Sequence, residues 1–226
     1  MMSTMKQIFI VIAFVLFSPS SFSQKLSQVS LAGGYISILI DQNVLIRITP
    51  DGRLIDWGTE LASQRTNSYD PKLQPYLGRV EYYGKESDSV FRGQVKSIGT
   101  AAVTYYGRYD IATKMGKLKS IGTLIFDYYT DFDNVALRGK LRFVGSTVLQ
   151  YYSSLEDEAV RGRLKAVGST PIMYYSSFDN RDLRGKIKSI GSLTFEYYSS
   201  QDRPDLRGQL KSIIYRPNIG GVTYIL

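Results

Sequence analysis

The residues best suited to chemistry in this chain are cations and phenols that recur at one spacing. Arg92, Arg138, Arg161, Arg184 and Arg207 occupy one position of a 23-residue period, Lys119, Lys165 and Lys188 a second, and Tyr129, Tyr152, Tyr175 and Tyr198 a third. Guanidinium and ammonium groups attract anions, and phenol rings stack on sugar faces. The chemistry on offer is recognition of a polyanion such as an acidic glycan. The sequence contains no cysteine and no histidine. That removes Ser-His-Asp and Cys-His nucleophilic sites, thiolate or imidazole zinc sites, and haem ligation by either side chain. No carboxylate pair stands out from the periodic background, and a catalytic site would break a repeat. The expectation is a chain without catalytic residues, metal or cofactor. Asp131, Asp133 and Asn134 begin like a calcium loop, but the following Gly and the distant bidentate Glu are missing. They read as solvated turn residues.

A repeated element must position these rows. Gly93, Gly116, Gly139, Gly162, Gly185 and Gly208 mark an unbroken phrase, as in "RGKIKSIGS", followed by a Tyr-Tyr pair in the regular copies. A fixed period of this length is the signature of stacked repeats. Within one copy, "LRGKIKS" alternates Leu183, Gly185 and Ile187 with Arg184, Lys186 and Lys188. "LTFEYY" alternates Leu193, Phe195 and Tyr197 with Thr194, Glu196 and Tyr198. Period-2 alternation over so few residues predicts two strands of a hairpin.

Two registers compete. A two-residue Gly191-Ser192 turn would place Lys188 opposite Phe195 and Ile187 opposite Glu196, mixing apolar and charged groups on each face. A three-residue loop of Ser189, Ile190 and Gly191 pairs Ile187 with Leu193, Gly185 with Phe195 and Leu183 with Tyr197. Arg184 then lies opposite Glu196. This register separates the faces and is the one expected. Hairpins stacked side by side predict an all-β fold, an antiparallel meander of 23-residue β-hairpin repeats in an extended, twisted sheet with irregular end caps. Residues 70–214 read as the array, 24–69 as an N-terminal β cap and 215–226 as a C-terminal cap strand, since atypical end copies cover exposed ends.

Residues 1–23 read as a signal peptide. Lys6 precedes an apolar run from Ile8 to Phe17, and small residues from Ser18 to Ser23 precede Gln24. An apolar run of that length is shorter than the roughly 20 residues that a spanning helix needs. The mature chain, cleaved after Ser23, is expected outside the cytoplasm, whether periplasmic, at the cell surface or secreted. It has no transmembrane helix and no nucleic-acid partner.

The 23-residue hairpin period and its x-x-Gly-x-apolar phrase resemble MORN repeats, whose units are also β-hairpins of this length. The resemblance covers residues 91–214. The family's aromatic residue two positions before the first Gly is met by Phe91, whereas Lys114, Leu137, Val160, Leu183 and Leu206 stand in the other copies. The family's glycine-rich stretch between the strands is missing, and the Tyr-Tyr pair belongs to this sequence. The resemblance implies protein or membrane-lipid contacts.

Together these features predict a noncatalytic exported scaffold that binds or builds the cell envelope. Its basic Arg/Lys/Tyr face would contact an acidic glycan, another envelope component or a protein partner. The competing account of that face is a solvated sheet surface whose cations pair with Glu81, Asp127 and Glu196. The competing architecture is an outer-membrane β-barrel, which fits the alternation and the tyrosines. Its strands would need about 9 to 11 residues, and here the apolar face carries a Gly in every copy.

Overall fold

In the computed structural model the described residues are 24–40, 43–61, 72–211 and 216–226, so the signal-peptide reading of residues 1–23 lies outside them. Five strands come first: β1 (Lys25–Ser30), β2 (Tyr35–Ile40), β3 (Val44–Ile48), β4 (Leu54–Glu60) and β5 (Leu73–Pro75). The array supplies β6 (Val80–Tyr82), β7 (Val95–Ile98), β8 (Ala101–Tyr105), β9 (Leu118–Ile121), β10 (Leu124–Tyr128) and β11 (Leu141–Val144). It continues through β12 (Thr147–Tyr151), β13 (Leu164–Val167), β14 (Thr170–Tyr174), β15 (Ile187–Ile190) and β16 (Leu193–Thr194). Two short strands, β17 (Asn218–Ile219) and β18 (Val222–Ile225), follow.

Strands β6 to β16 form one eleven-stranded antiparallel sheet in chain order, the expected meander. The other seven form a second sheet in the order β17-β18-β1-β2-β3-β4-β5, with β18 parallel to β1. Strands β1 to β4 and strands β17 and β18, which belong to the two caps read from sequence as separate, therefore meet in one sheet. The two sheets share a core: Ile38, Ile46, Ile48 and Tyr224 from one and Leu118, Ile121, Phe126 and Leu149 from the other are all 0% exposed. Backbone bonds also join them, from Leu118 N–H to the Gly52 carbonyl (3.2 Å) and from Leu141 N–H to the Pro50 carbonyl (2.7 Å). This two-layer arrangement lets each sheet bury its apolar face against the other. Strands β6 and β16 do not pair, so the repeat sheet is open. A barrel would need that closure and an outward apolar face, and this sheet has neither.

The observed hairpin register is the two-residue one, which corrects the expectation from alternation. Ile190 pairs with Leu193 and Ser189 with Thr194, leaving Gly191 and Ser192 as the turn. Gly191 has φ +56°, and the following Ser does not take positive φ, as in a type II′ turn. The mixing of faces is avoided by a bulge on the opposite side of each first strand. Tyr174 pairs with Ile187 and Met173 with Ser189, so Lys188 is an extra residue that bows outward. Ile187 and Ile190, three apart, thereby face the same core. Gly185 also lies outside the strands, at φ +70°. Its N–H bonds the Tyr175 carbonyl (2.8 Å), closing the loop that begins at Tyr175. The expected pairings of Gly185 with Phe195, Leu183 with Tyr197 and Arg184 with Glu196 fail because the left-handed glycine takes residues 183–185 out of the ladder.

Candidate functional site

Bulging turns the strand lysines outward onto the second tyrosine of each preceding Tyr-Tyr pair. Lys119 lies over the Tyr106 ring (5.3 Å), Lys165 over Tyr152 (5.1 Å) and Lys188 over Tyr175 (5.4 Å). Arg142 covers Tyr129 (5.5 Å), and Lys211 covers Tyr198 (5.1 Å). Lys119, Lys165 and Lys188 thus share a face with the expected tyrosines. The phenols have a structural task as well. Tyr129 donates its hydroxyl proton to the Leu149 carbonyl (3.0 Å), Tyr152 to Ile172 (3.0 Å) and Tyr175 to Phe195 (3.1 Å). Each ring also meets the edge of the first tyrosine in the next pair, as Tyr152 does with Tyr174 at 5.9 Å. Acids accompany the row: Lys165 pairs with Glu156 (2.7 Å), and Lys211 lies 3.7 Å from Asp202.

The five arginines occupy a different surface. Arg92, Arg138, Arg161, Arg184 and Arg207 are exposed residues of the loops between hairpins. Arg138 donates to the Asp133 carbonyl (3.2 Å), Arg161 to that of Glu156 (3.3 Å) and Arg184 to that of Asp179 (3.5 Å). Arg92 and Arg207 make similar bonds to Ser87 and Ser200 (3.3 and 3.1 Å). The carbonyls of residues 133, 156 and 179 directly follow Phe132, Leu155 and Phe178, which sequence reasoning passed over. Tyr109, Phe132, Leu155 and Phe178 are 96, 94, 91 and 94% exposed and lie one period apart. Their signal was available as the single large apolar residue in otherwise polar loops such as "SSFDN" and "SSLED".

The loops that present these tips are held by their own polar residues. Asp133 accepts from the N–H of Thr130 (2.6 Å), Asp179 from that of Ser176 (2.6 Å) and Asp202 from that of Ser199 (2.7 Å). Neighbouring loops are joined in a ladder: Ser154 N–H donates to Asn134 Oδ1 (3.0 Å), Ser177 N–H to Asp157 (2.9 Å), and Asn180 Nδ2 donates to Ser200 (2.8 Å). Asp133 and Asn134, two of the three residues of the calcium-like string, both serve this framework. Among the described residues no group of three or more acidic side chains gathers where a metal could sit.

Backbone N–H donors hold the carboxyls of Asp133, Asp179 and Asp202 below their ordinary value of 3.8, and the Ser177 hydroxyl and N–H do the same for Asp157. A depressed carboxyl contributes stability that is complete above its unfolded value and is lost as pH falls through the folded one. Amide exchange at Thr130, Ser176 and Ser199 is therefore expected to accelerate below pH 3.8, before the core amides of Phe126 and Leu149 lose protection. Loss of protection at both sets together would show that the carboxyls do not hold the loops.

Among the described residues no helix is long and apolar enough to cross a membrane. No protein family, curated protein or solved structure matches the chain significantly.

Proposed function

We propose that this chain is an exported, noncatalytic β-repeat scaffold of MORN-like type that binds an extended anionic component of the cell envelope, such as an acidic glycan. The observation that carries the reading is the row of Tyr109, Phe132, Leu155 and Phe178, almost wholly exposed on loops whose other residues fix their conformation. Large apolar side chains held in water contribute nothing to folding, and a contiguous set of them marks a contact surface. Arginines bonded beside three of these tips add positive charge along the same edge. Successive tips are two strand spacings apart, so the row extends over about 30 Å. A linear polymer matches that shape better than a compact ligand.

Calorimetric titration with polygalacturonate, at low and at high salt, tests the reading. Binding is expected at low salt and should weaken as salt screens the arginines. The pairs Phe132→Ser with Phe178→Ser, and Arg138→Gln with Arg184→Gln, should each weaken binding about tenfold, which corresponds to about 1.4 kcal/mol. Exposed residues of this kind leave thermal stability nearly unchanged. Lys119→Gln with Lys188→Gln reports on the sheet face instead. Binding lost only in that lysine variant would move the site there, and absence of binding at low salt would defeat the polyanion reading.

A further inference from the structure

The two sheets do not cover each other completely. Where the turn between β1 and β2 faces the loop ends of the last repeats, a cleft of about 480 Å3 remains. That volume is in the range of small-molecule sites, about 300 to 1,000 Å3. Tyr151, Tyr174 and Tyr197 form one wall, with Lys140, Arg163 and Lys186 stationed over their rings at 5.1, 5.4 and 5.4 Å. The facing wall is largely apolar, with Leu31, Pro50 and Leu226. Among the described residues no Asp or Glu side chain lines the cleft. Three cations, one from each of three successive repeats and so about 10 Å apart, therefore line an apolar space without an acidic side chain of the described residues beside them.

A second observation distinguishes this stretch from the preceding repeat. Tyr128 occupies the same position as Tyr151, and its hydroxyl donates to the Leu118 carbonyl (2.7 Å). Tyr151 is only 8% exposed, yet its hydroxyl has no hydrogen-bond partner among the described residues. Buried hydroxyls are seldom left unpaired, and one beside a cleft indicates a partner that enters from it. The cations have donors to spare. Arg163 uses one N–H on the Gly185 carbonyl (2.6 Å), and Lys140 reaches the Gly162 carbonyl. A guanidinium carries five N–H donors and an ammonium three.

We propose that this cleft binds an amphiphile with a carboxylate or phosphate head group and an apolar chain. The head group lies between Lys140 and Arg163 and within reach of the Tyr151 hydroxyl, and the chain runs past Lys186 between the tyrosine rings and the Leu31 wall. The site is separate from the loop tips proposed to hold a polymer.

Calorimetry of the purified chain with laurate and with dodecyl phosphate, both below micelle formation, tests the proposal against dodecyl maltoside as a neutral probe. At least one anionic probe is expected to bind with one-to-one stoichiometry at least tenfold more tightly than the maltoside, and the stronger of the two identifies the head group. Arg163→Gln should weaken that binding about tenfold. Tyr151→Phe should weaken it several-fold without lowering the melting temperature, because the hydroxyl it removes bonds none of the described residues. Ala32→Trp, at an exposed residue lining the cleft, should block entry even if the other variants fold poorly. The Phe132→Ser, Phe178→Ser pair should leave laurate binding unchanged. Failure of both anionic probes, equal binding of the neutral one, or indifference to Ala32→Trp and Arg163→Gln would overturn the proposal.

Discussion

Tyr128→Ala is expected to lower the unfolding free energy by about 3 to 5 kcal/mol, the range for removing a large aromatic from a core. Typical domains have only about 5 to 15 kcal/mol in total, so much of the molecule would unfold under mild conditions. Tyr128 is fully buried, beside the backbone bond that joins the two layers at Gly52. Its ring passes directly beneath Gly52. A Cβ at that glycine would fall 2.1 Å from the phenol oxygen and 2.5 Å from Cε1, and Gly52 also has φ +83°. Gly52 in turn accepts the backbone N–H of Leu118, whose own carbonyl accepts the Tyr128 hydroxyl. One ring thus fills the core, satisfies a carbonyl and sets the distance between layers. Tyr128→Phe keeps the first role and loses the hydrogen bond, at a cost of about 0.5 to 1.5 kcal/mol. Tyr174→Ala, at a half-buried ring beside the cleft, should cost clearly less than Tyr128→Ala. Urea unfolding of the four proteins measures the differences, and equal losses at Tyr128 and Tyr174 would show that the sheets do not depend on the contact at Gly52.

The hairpins are legible in the sequence because each II′ turn needs a residue that accepts positive φ cheaply at its first central position. Glycine therefore recurs at 99, 122, 145, 168 and 191. The meander follows from that spacing. The second layer is not legible. Strands β1 to β3 share no phrase with the array, and the pairing of Val29 with Tyr224 joins positions at opposite ends of the chain. No local pattern encodes such a contact. For the candidate surfaces the result is divided by the same physics. Lys165 and Tyr152 share a face as alternation expects, although it is the bulge at Lys165 that turns its side chain outward onto the ring. Arg161 is misplaced by alternation because Gly162, at φ +73°, has already left the strand. Phe178 is overlooked for a different reason: a fully exposed side chain leaves no trace in patterns that report burial.

Ile121→Asp offers the sharpest test of the bulged register, with an expected loss of about 4 kcal/mol or more, enough to prevent folding of a marginal domain. In a regular strand, residues 118 and 121 point to opposite faces, so only one of them could lie in the core. Here both are 0% exposed. The ladder shows how: Tyr105 pairs with Leu118 and Thr104 with Ser120, which leaves Lys119 as the extra residue and restores Ile121 to the inner face opposite Val103. Leu118→Asp should be as damaging as Ile121→Asp, since each would bury a carboxylate with no partner. Lys119→Asp should cost only about 0.5 to 1 kcal/mol, the worth of an exposed cation over the Tyr106 ring. Circular-dichroism melts of the three variants decide the matter. If Ile121→Asp melted with Lys119→Asp, the strand would be regular and the core face described here would be wrong. The same i, i+3 pair recurs as Val95 and Ile98, Leu141 and Val144, Leu164 and Val167, and Ile187 and Ile190. A bulge in each first strand accounts for all of them, and it is also what turns Lys119, Arg142, Lys165 and Lys188 outward onto their tyrosines.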